Sequence, residues 1–149
     1  MSAIAFDWKA VVLAKHAQHV VLIHFPIALF LAGVLSDWMS VWWKRQAFGA
    51  AAFFNLTCAA VSAVPTIATG LLAWQWQLEG QKVKGVLLYH MVCALGSALI
   101  LWLCWWPHFR ANRRGENSLP SWRLPLEALG VLLITVTGHL GGTLSGVNL

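Results

Sequence analysis

The fold is decided by residues 20–73, which read VVLIHFPIALFLAGVLSDWMSVWWKRQAFGAAAFFNLTCAAVSAVPTIATGLLA. Two long apolar runs are separated here by one short polar break at Lys44 and Arg45. A helix needs about 20 apolar residues to cross the roughly 30 Å hydrocarbon core of a bilayer, and both runs are long enough. Because the break is so short, the two predicted helices form an antiparallel hairpin.

Two further apolar segments follow, so the sequence predicts four membrane-spanning helices, at about residues 20–43, 48–73, 86–106 and 124–144. The predicted fold is all-α: a single transmembrane domain over residues 1–149, arranged as an up-down-up-down four-helix bundle. The apolar residues before the first span extend too far for one straight helix. Residues 3–14 are therefore predicted to lie along the membrane interface, with Asp7 as the N-cap.

The composition supports the same class of protein. Of the 149 residues, 59% are hydrophobic and 10% are charged, against about 25% charged in soluble domains. The net charge of +5 is carried by short basic runs beside apolar segments, where such runs orient a membrane protein, so no nucleic-acid partner is implied. The three cysteines form no CxxC or CxxCH motif, so neither a disulfide framework nor covalent c-type haem attachment is predicted.

Basic residues are distributed unequally between the two ends of the predicted bundle. One end carries Lys44, Arg45, Arg110, Arg113, Arg114 and Arg123, and the other carries Lys9, Lys15, Lys82 and Lys84. The positive-inside rule therefore predicts that both termini lie outside.

Three histidines are predicted to share one depth near the outer face. His24 and His90 lie about one turn into parallel helices, and His139 lies about 22 Å along the oppositely directed fourth helix. His19 precedes His24 by about 500° of helical rotation, so these two side chains are predicted to point to different sides.

Histidines from several helices at one depth suit a cofactor, because neutral imidazole binds iron, copper and zinc. A b-type haem would use two of His24, His90 and His139, with contacts to its propionates from Lys15, Lys82 and Lys84. A copper or zinc site would use three or four histidines, including His19. A third interpretation makes the histidines interfacial anchors in a helix-packing subunit.

The remaining ionisable residues have simpler interpretations. Asp37 and Glu127 lie near the inner face, where they are expected to pair with one of the basic residues Lys44, Arg45 and Arg123. A proton path through these carboxylates is the alternative. His16 and His108 lie away from the common depth and are expected to face solvent or lipid headgroups.

Residues 19–29, HVVLIHFPIAL, resemble the HPxxVHFPIAL signature of a bacterial family of four-helix membrane proteins of unknown function. Residues 65–74 resemble the family's TGLxxW-type end of helix two, and residues 138–147 resemble its GxLGGxL…GV ending. Val20 stands where the family has proline, and His139 stands where it often has an aromatic residue. The resemblance implies an inner-membrane protein associated with respiratory or redox components.

The leading hypothesis is a membrane b-type cytochrome, with both termini periplasmic, that transfers electrons between a quinone and a periplasmic redox carrier. The alternatives are a copper- or zinc-binding membrane protein and an assembly or anchor subunit of a respiratory complex. The sequence shows no catalytic constellation, which favours an electron-transfer protein over a stand-alone enzyme. Homo-oligomers and hetero-oligomers both remain open.

Overall fold

A computed structural model describes residues 15–77, 80, 82–116 and 118–146. The interfacial helix predicted for residues 3–14 lies outside these ranges. The described part of the chain contains five helices: α1 (Lys15–Leu22), α2 (His24–Trp43), α3 (Gln46–Gln77), α4 (Val86–Arg114) and α5 (Arg123–Leu144).

Four stretches of these helices are long and apolar enough to cross a membrane: Gln18–Trp43, Gln46–Trp76, Val86–Arg114 and Arg123–Leu144. The predicted all-α transmembrane bundle is thereby confirmed. The third span differs from the prediction in length, because α4 continues beyond Trp106 to Arg114 with Pro107 inside the helix.

The first span is built from α1 and α2, which join at Ile23. Pro26 has no N–H group, so the carbonyl of Leu22 lacks its usual donor four residues along the helix. The hydroxyl of Thr66 on α3 lies 3.3 Å from the Leu22 carbonyl oxygen and 2.9 Å from that of Ser62. The single hydroxyl proton of Thr66 is thus shared between these two carbonyl oxygens, and the neighbouring helix supplies a donor near the carbonyl that Pro26 leaves unpaired.

The helices associate as two antiparallel hairpins, α2 with α3 and α4 with α5. The first hairpin turns at Lys44, which adopts a left-handed conformation with φ of 51° and donates its N–H to the Ser40 carbonyl. Close approach of α2 to α3 requires Gly33, since a Cβ atom there would lie 2.8 Å from the Leu56 side chain.

The two hairpins meet at the level of Gly130. A Cβ atom on Gly130 would lie 2.7 Å from Cζ of Phe30 and 3.0 Å from Cγ2 of Ile100, so α2, α4 and α5 converge at this depth. Phe30 and Ile100 belong to the buried apolar core, together with Val34, Leu56, Leu101, Cys104 and Ile134.

Burial divides the bundle into two parts at about this level. In α4, eight residues between Ser97 and Ala111 are buried, whereas none in residues 86–96 is. In α5, buried residues occur from Arg123 to Ile134, and none occurs in residues 135–144. We call the part on the Arg123 side of Gly130 the packed half and the part on the His90 side the open half. In the open half every residue of α4 and α5 is at least partly exposed.

Candidate functional sites at the two ends of the bundle

The predicted histidine layer lies in the open half. Measured from the shared level of Phe30, Ile100 and Gly130, His24 is six residues along α2, His139 nine along α5 and His90 ten along α4. At 1.5 Å per residue these offsets correspond to about 9, 13 and 15 Å in the same direction. The three histidines therefore occupy one layer about 6 Å deep.

Two of these histidines have a fixed tautomer. Nδ1 of His90 lies 3.1 Å from the carbonyl oxygen of Thr137, and Nδ1 of His24 lies 2.7 Å from that of Val20. Because a carbonyl oxygen only accepts, Nδ1 must carry the proton in both rings. Their Nε2 atoms then have a lone pair, which is the arrangement found in metal-ligating histidines.

The environments of the four outer histidines differ. His90 is half-buried and packs against α5, where a Cβ atom on Gly141 would lie 3.2 Å from its Cε1 atom. His24 and His139 are exposed. His19 packs on Gly70 of α3, with its Nδ1 atom 3.3 Å from the Thr69 hydroxyl, so the expected divergence of His19 and His24 agrees with these partners.

The lysines proposed for the propionates are also at this end. Lys82 and Lys84 are exposed in the connection that precedes α4. Lys15 is the first residue of α1, and its side chain lies outside the described part of the structure, as does that of His16.

The packed half contains a cluster of charged side chains that are almost fully buried. Asp37 is 0% exposed and Arg123 is 6% exposed. Nε of Arg123 donates to Oδ2 of Asp37 at 2.7 Å and Nη2 donates to Oδ1 at 3.4 Å. Nη1 donates to the Pro120 carbonyl at 3.1 Å. Of the three basic partners proposed for the carboxylates, Arg123 is the one that pairs with Asp37.

Glu127 has a different partner from the one expected. Its side chain is fully buried, and its Oε2 atom accepts a hydrogen bond from Nε1 of Trp38 at 2.8 Å. The expected pairing of Glu127 with Lys44, Arg45 or Arg123 is therefore wrong. The neutral indole of Trp38, not a basic side chain, donates to Oε2 of Glu127.

The position of His108 also differs from the expectation. The sequence predicted a side chain in solvent or among headgroups, but His108 is only 4% exposed. The reason is that α4 continues through Pro107, which turns His108 into the bundle. Nε2 of His108 lies 3.8 Å from Oδ1 of Asp37 and 3.9 Å from Oε1 of Glu127.

The sequence did contain a signal for this cluster. Asp37, His108 and Glu127 each lie near the same end of a different apolar segment, and side chains at one depth of a bundle can meet in its core. In the described ranges, these three residues form the group whose possible ligand atoms all lie within 4.8 Å of one another, and the outer histidines form no such group of three.

No curated protein and no solved structure matches this chain. A family model described as "Predicted membrane protein (DUF2231)" matches residues 15–147. That match covers nearly the whole chain and agrees with the family resemblance of the HFPIAL segment. The chain therefore belongs to this family of membrane proteins of unknown function.

Proposed function

We propose that this membrane protein binds a b-type haem in the open half of the bundle and transfers electrons. Two of His24, His90 and His139 coordinate the iron, a membrane quinone exchanges electrons with the haem, and the second partner is a redox protein on the periplasmic side. The observation that carries the proposal is that His24, His90 and His139 come from three helices and lie within about 6 Å of one depth, where no residue of α4 or α5 is buried. A bundle builds cofactor sites from side chains on facing helices in this way.

The ligand chemistry supports the same assignment. His90 and His24 both use Nδ1 to hold a main-chain carbonyl, which leaves Nε2 for the iron. Gly141 allows the His90 ring to lie against α5, so the ring orientation is set before a ligand binds. Such outer hydrogen bonds orient a metal-ligating histidine and increase its basicity.

The surfaces around His90 suit a porphyrin. Leu87 and Ala94 are half-buried on α4, and their spacing of three and four residues from His90 places them on the same helix face. Cofactor pockets are lined mainly by apolar side chains with a few placed polar groups. Lys82 and Lys84, exposed at this end, provide cations for the propionates.

The ligands are tested with His24→Ala, His90→Ala and His139→Ala variants produced with ample haem. We expect His90→Ala and one of the other two variants to retain less than a tenth of the wild-type haem. The matched control is Tyr89→Phe, since Tyr89 is the exposed neighbour of His90, and it should retain all of it. Haem is quantified by absorbance, and circular dichroism establishes that each variant is helical.

A full haem complement in His90→Ala would overturn the proposed ligand pairs. A colourless wild-type protein that contains stoichiometric copper or zinc, lost when the outer histidines are replaced, would overturn haem in favour of a metal site. A colourless, metal-free protein would leave the anchor or assembly role.

A further inference from the structure

We propose that the packed half contains a second, separate ligand site, in which Asp37, His108 and Glu127 bind one divalent transition-metal ion such as Zn²⁺. The three side chains come from α2, α4 and α5, so a bound ion would connect both hairpins. This site does not depend on the haem proposed for the open half.

The first reason is the lack of any other partner for two buried polar atoms. Among the residues that the structure describes, Nε2 of His108 and Oε1 of Glu127 are the buried side-chain nitrogen and oxygen atoms without a hydrogen-bond partner. A buried polar group without a partner costs about 1–3 kcal/mol. Two such atoms, 3.9 Å apart, are both satisfied by one ion between them.

The second reason is the spacing of the possible ligand atoms. Nε2 of His108 is 3.8 Å from Oδ1 of Asp37 and 3.9 Å from Oε1 of Glu127. Both distances are too long for hydrogen bonds. Two ligands at about 2.0–2.2 Å from a tetrahedral Zn²⁺ lie roughly 3.4 Å apart. These two separations therefore need to contract by only about half an ångström, and the oxygens of Asp37 and Glu127 lie within 4.8 Å of each other.

The third reason is the orientation of the carboxylates. Trp38 holds Oε2 of Glu127, which leaves Oε1 on the His108 side. Arg123 makes its short hydrogen bond to Oδ2 of Asp37, and the nearer oxygen to His108 is Oδ1. Trp38 and Arg123 are thus positioning residues of the kind that commonly support metal ligands.

Charge also favours a cation. The cluster brings together two carboxyl groups, Asp37 and Glu127, and one guanidinium group, Arg123, all 6% exposed or less. A cation held by both carboxyl groups and His108 would leave neither carboxylate uncompensated in a buried environment, where uncompensated charge is costly. One imidazole with two carboxylates is a ligand set that suits first-row ions such as Zn²⁺, Fe²⁺ and Mn²⁺.

The test uses the full-length protein in detergent, treated with a chelator and then titrated with Co²⁺, whose visible bands report ligand binding. We expect one Co²⁺ per chain and its displacement by one Zn²⁺. Glu127→Gln and His108→Gln should each weaken binding at least tenfold. The matched control is Glu116→Gln, because Glu116 is an exposed carboxylate at the same end of the bundle. The affinity of this variant for Co²⁺ should equal that of the wild-type protein.

A second measurement guards against misfolded variants. Zn²⁺ should raise the thermal unfolding midpoint of the wild-type protein and of Glu116→Gln but leave that of Glu127→Gln unchanged. The proposal is overturned if the wild-type protein takes up no stoichiometric Co²⁺ or Zn²⁺, which would make the cluster purely an ion-pair and proton-binding network. It is also overturned if His90→Ala abolishes metal binding while Glu127→Gln retains it.

Discussion

The two halves of this bundle differ in how far their ionisable side chains are buried. In the packed half, four ionisable side chains are 6% exposed or less, and each has another polar group within 4 Å. In the open half, His24 and His139 are exposed and His90 is half-buried, with no buried residue on α4 over residues 86–96. Charge is therefore enclosed at one end and imidazole is accessible at the other.

The difference separates an enclosed ionic cluster from a set of accessible histidines within one small membrane protein. The level of Phe30, Ile100 and Gly130 joins α2, α4 and α5, and the ionic cluster lies beyond it toward Arg123. We infer that the packed half holds the hairpins together, which leaves the open half free to accept a ligand. Substitutions in the packed half should thus change stability, and those in the open half should change ligand binding.

The largest effect on stability is expected from Arg123→Ala. The change leaves the carboxylate of Asp37 buried without its arginine, and breaking a buried ion pair in this way costs about 3–5 kcal/mol. The free energy of unfolding in detergent, followed by circular dichroism, measures the effect.

Arg114→Ala is the matched control for that variant. Arg114 pairs with Glu116 at 3.5 Å, and both side chains are about half exposed, so its loss should cost no more than about 1 kcal/mol. Equal losses in the two variants would contradict the structural role assigned to the buried pair.

Two glycine substitutions compare the halves directly. Gly130→Ala places a Cβ atom 2.7 Å from Phe30, and such overpacking typically costs about 1–3 kcal/mol. Gly138→Ala meets no atom within 4 Å and should leave stability unchanged or raise it by up to about 1 kcal/mol, because alanine favours a helix over glycine. If Gly138→Ala were the more destabilising change, the open half would be packed after all.

The smallest effect is expected from Thr66→Val. Its hydroxyl group lies 3.3 Å from the carbonyl oxygen of Leu22, which has no N–H donor from Pro26. Losing one such hydrogen bond costs about 0.5–1.5 kcal/mol. Thr135→Val is the control, since the exposed Thr135 hydroxyl donates only within its own helix, to Val131. The same unfolding measurement applies, and equal values for both variants would remove the role assigned to Thr66.

Helix number, hairpin pairing and depth could be predicted from the sequence. Hydropathy marks where the chain enters and leaves the bilayer, and the short break at Lys44 and Arg45 allows only an antiparallel turn. Depth then follows from the rise of 1.5 Å per residue, counted for His24, His90 and His139 from the contact of Phe30, Ile100 and Gly130.

Helix rotation and partner choice could not be predicted in this way. His108 follows the predicted end of the third span at residue 106 and was expected at the surface, but α4 continues through Pro107 to Arg114. Hydropathy of an almost uniformly apolar helix does not indicate which face points inward. For the same reason the sequence did not show which of three basic residues pairs with Asp37. It also did not predict that Trp38 donates to Glu127.

Haem binding in the open half is tested most directly by the dithionite-reduced minus oxidised absorption spectrum of the purified wild-type protein. We predict a Soret band and a sharp α-band at about one haem per chain, both absent from His90→Ala and retained in Tyr89→Phe. A featureless difference spectrum from helical, folded protein produced with ample haem would contradict haem binding in the open half.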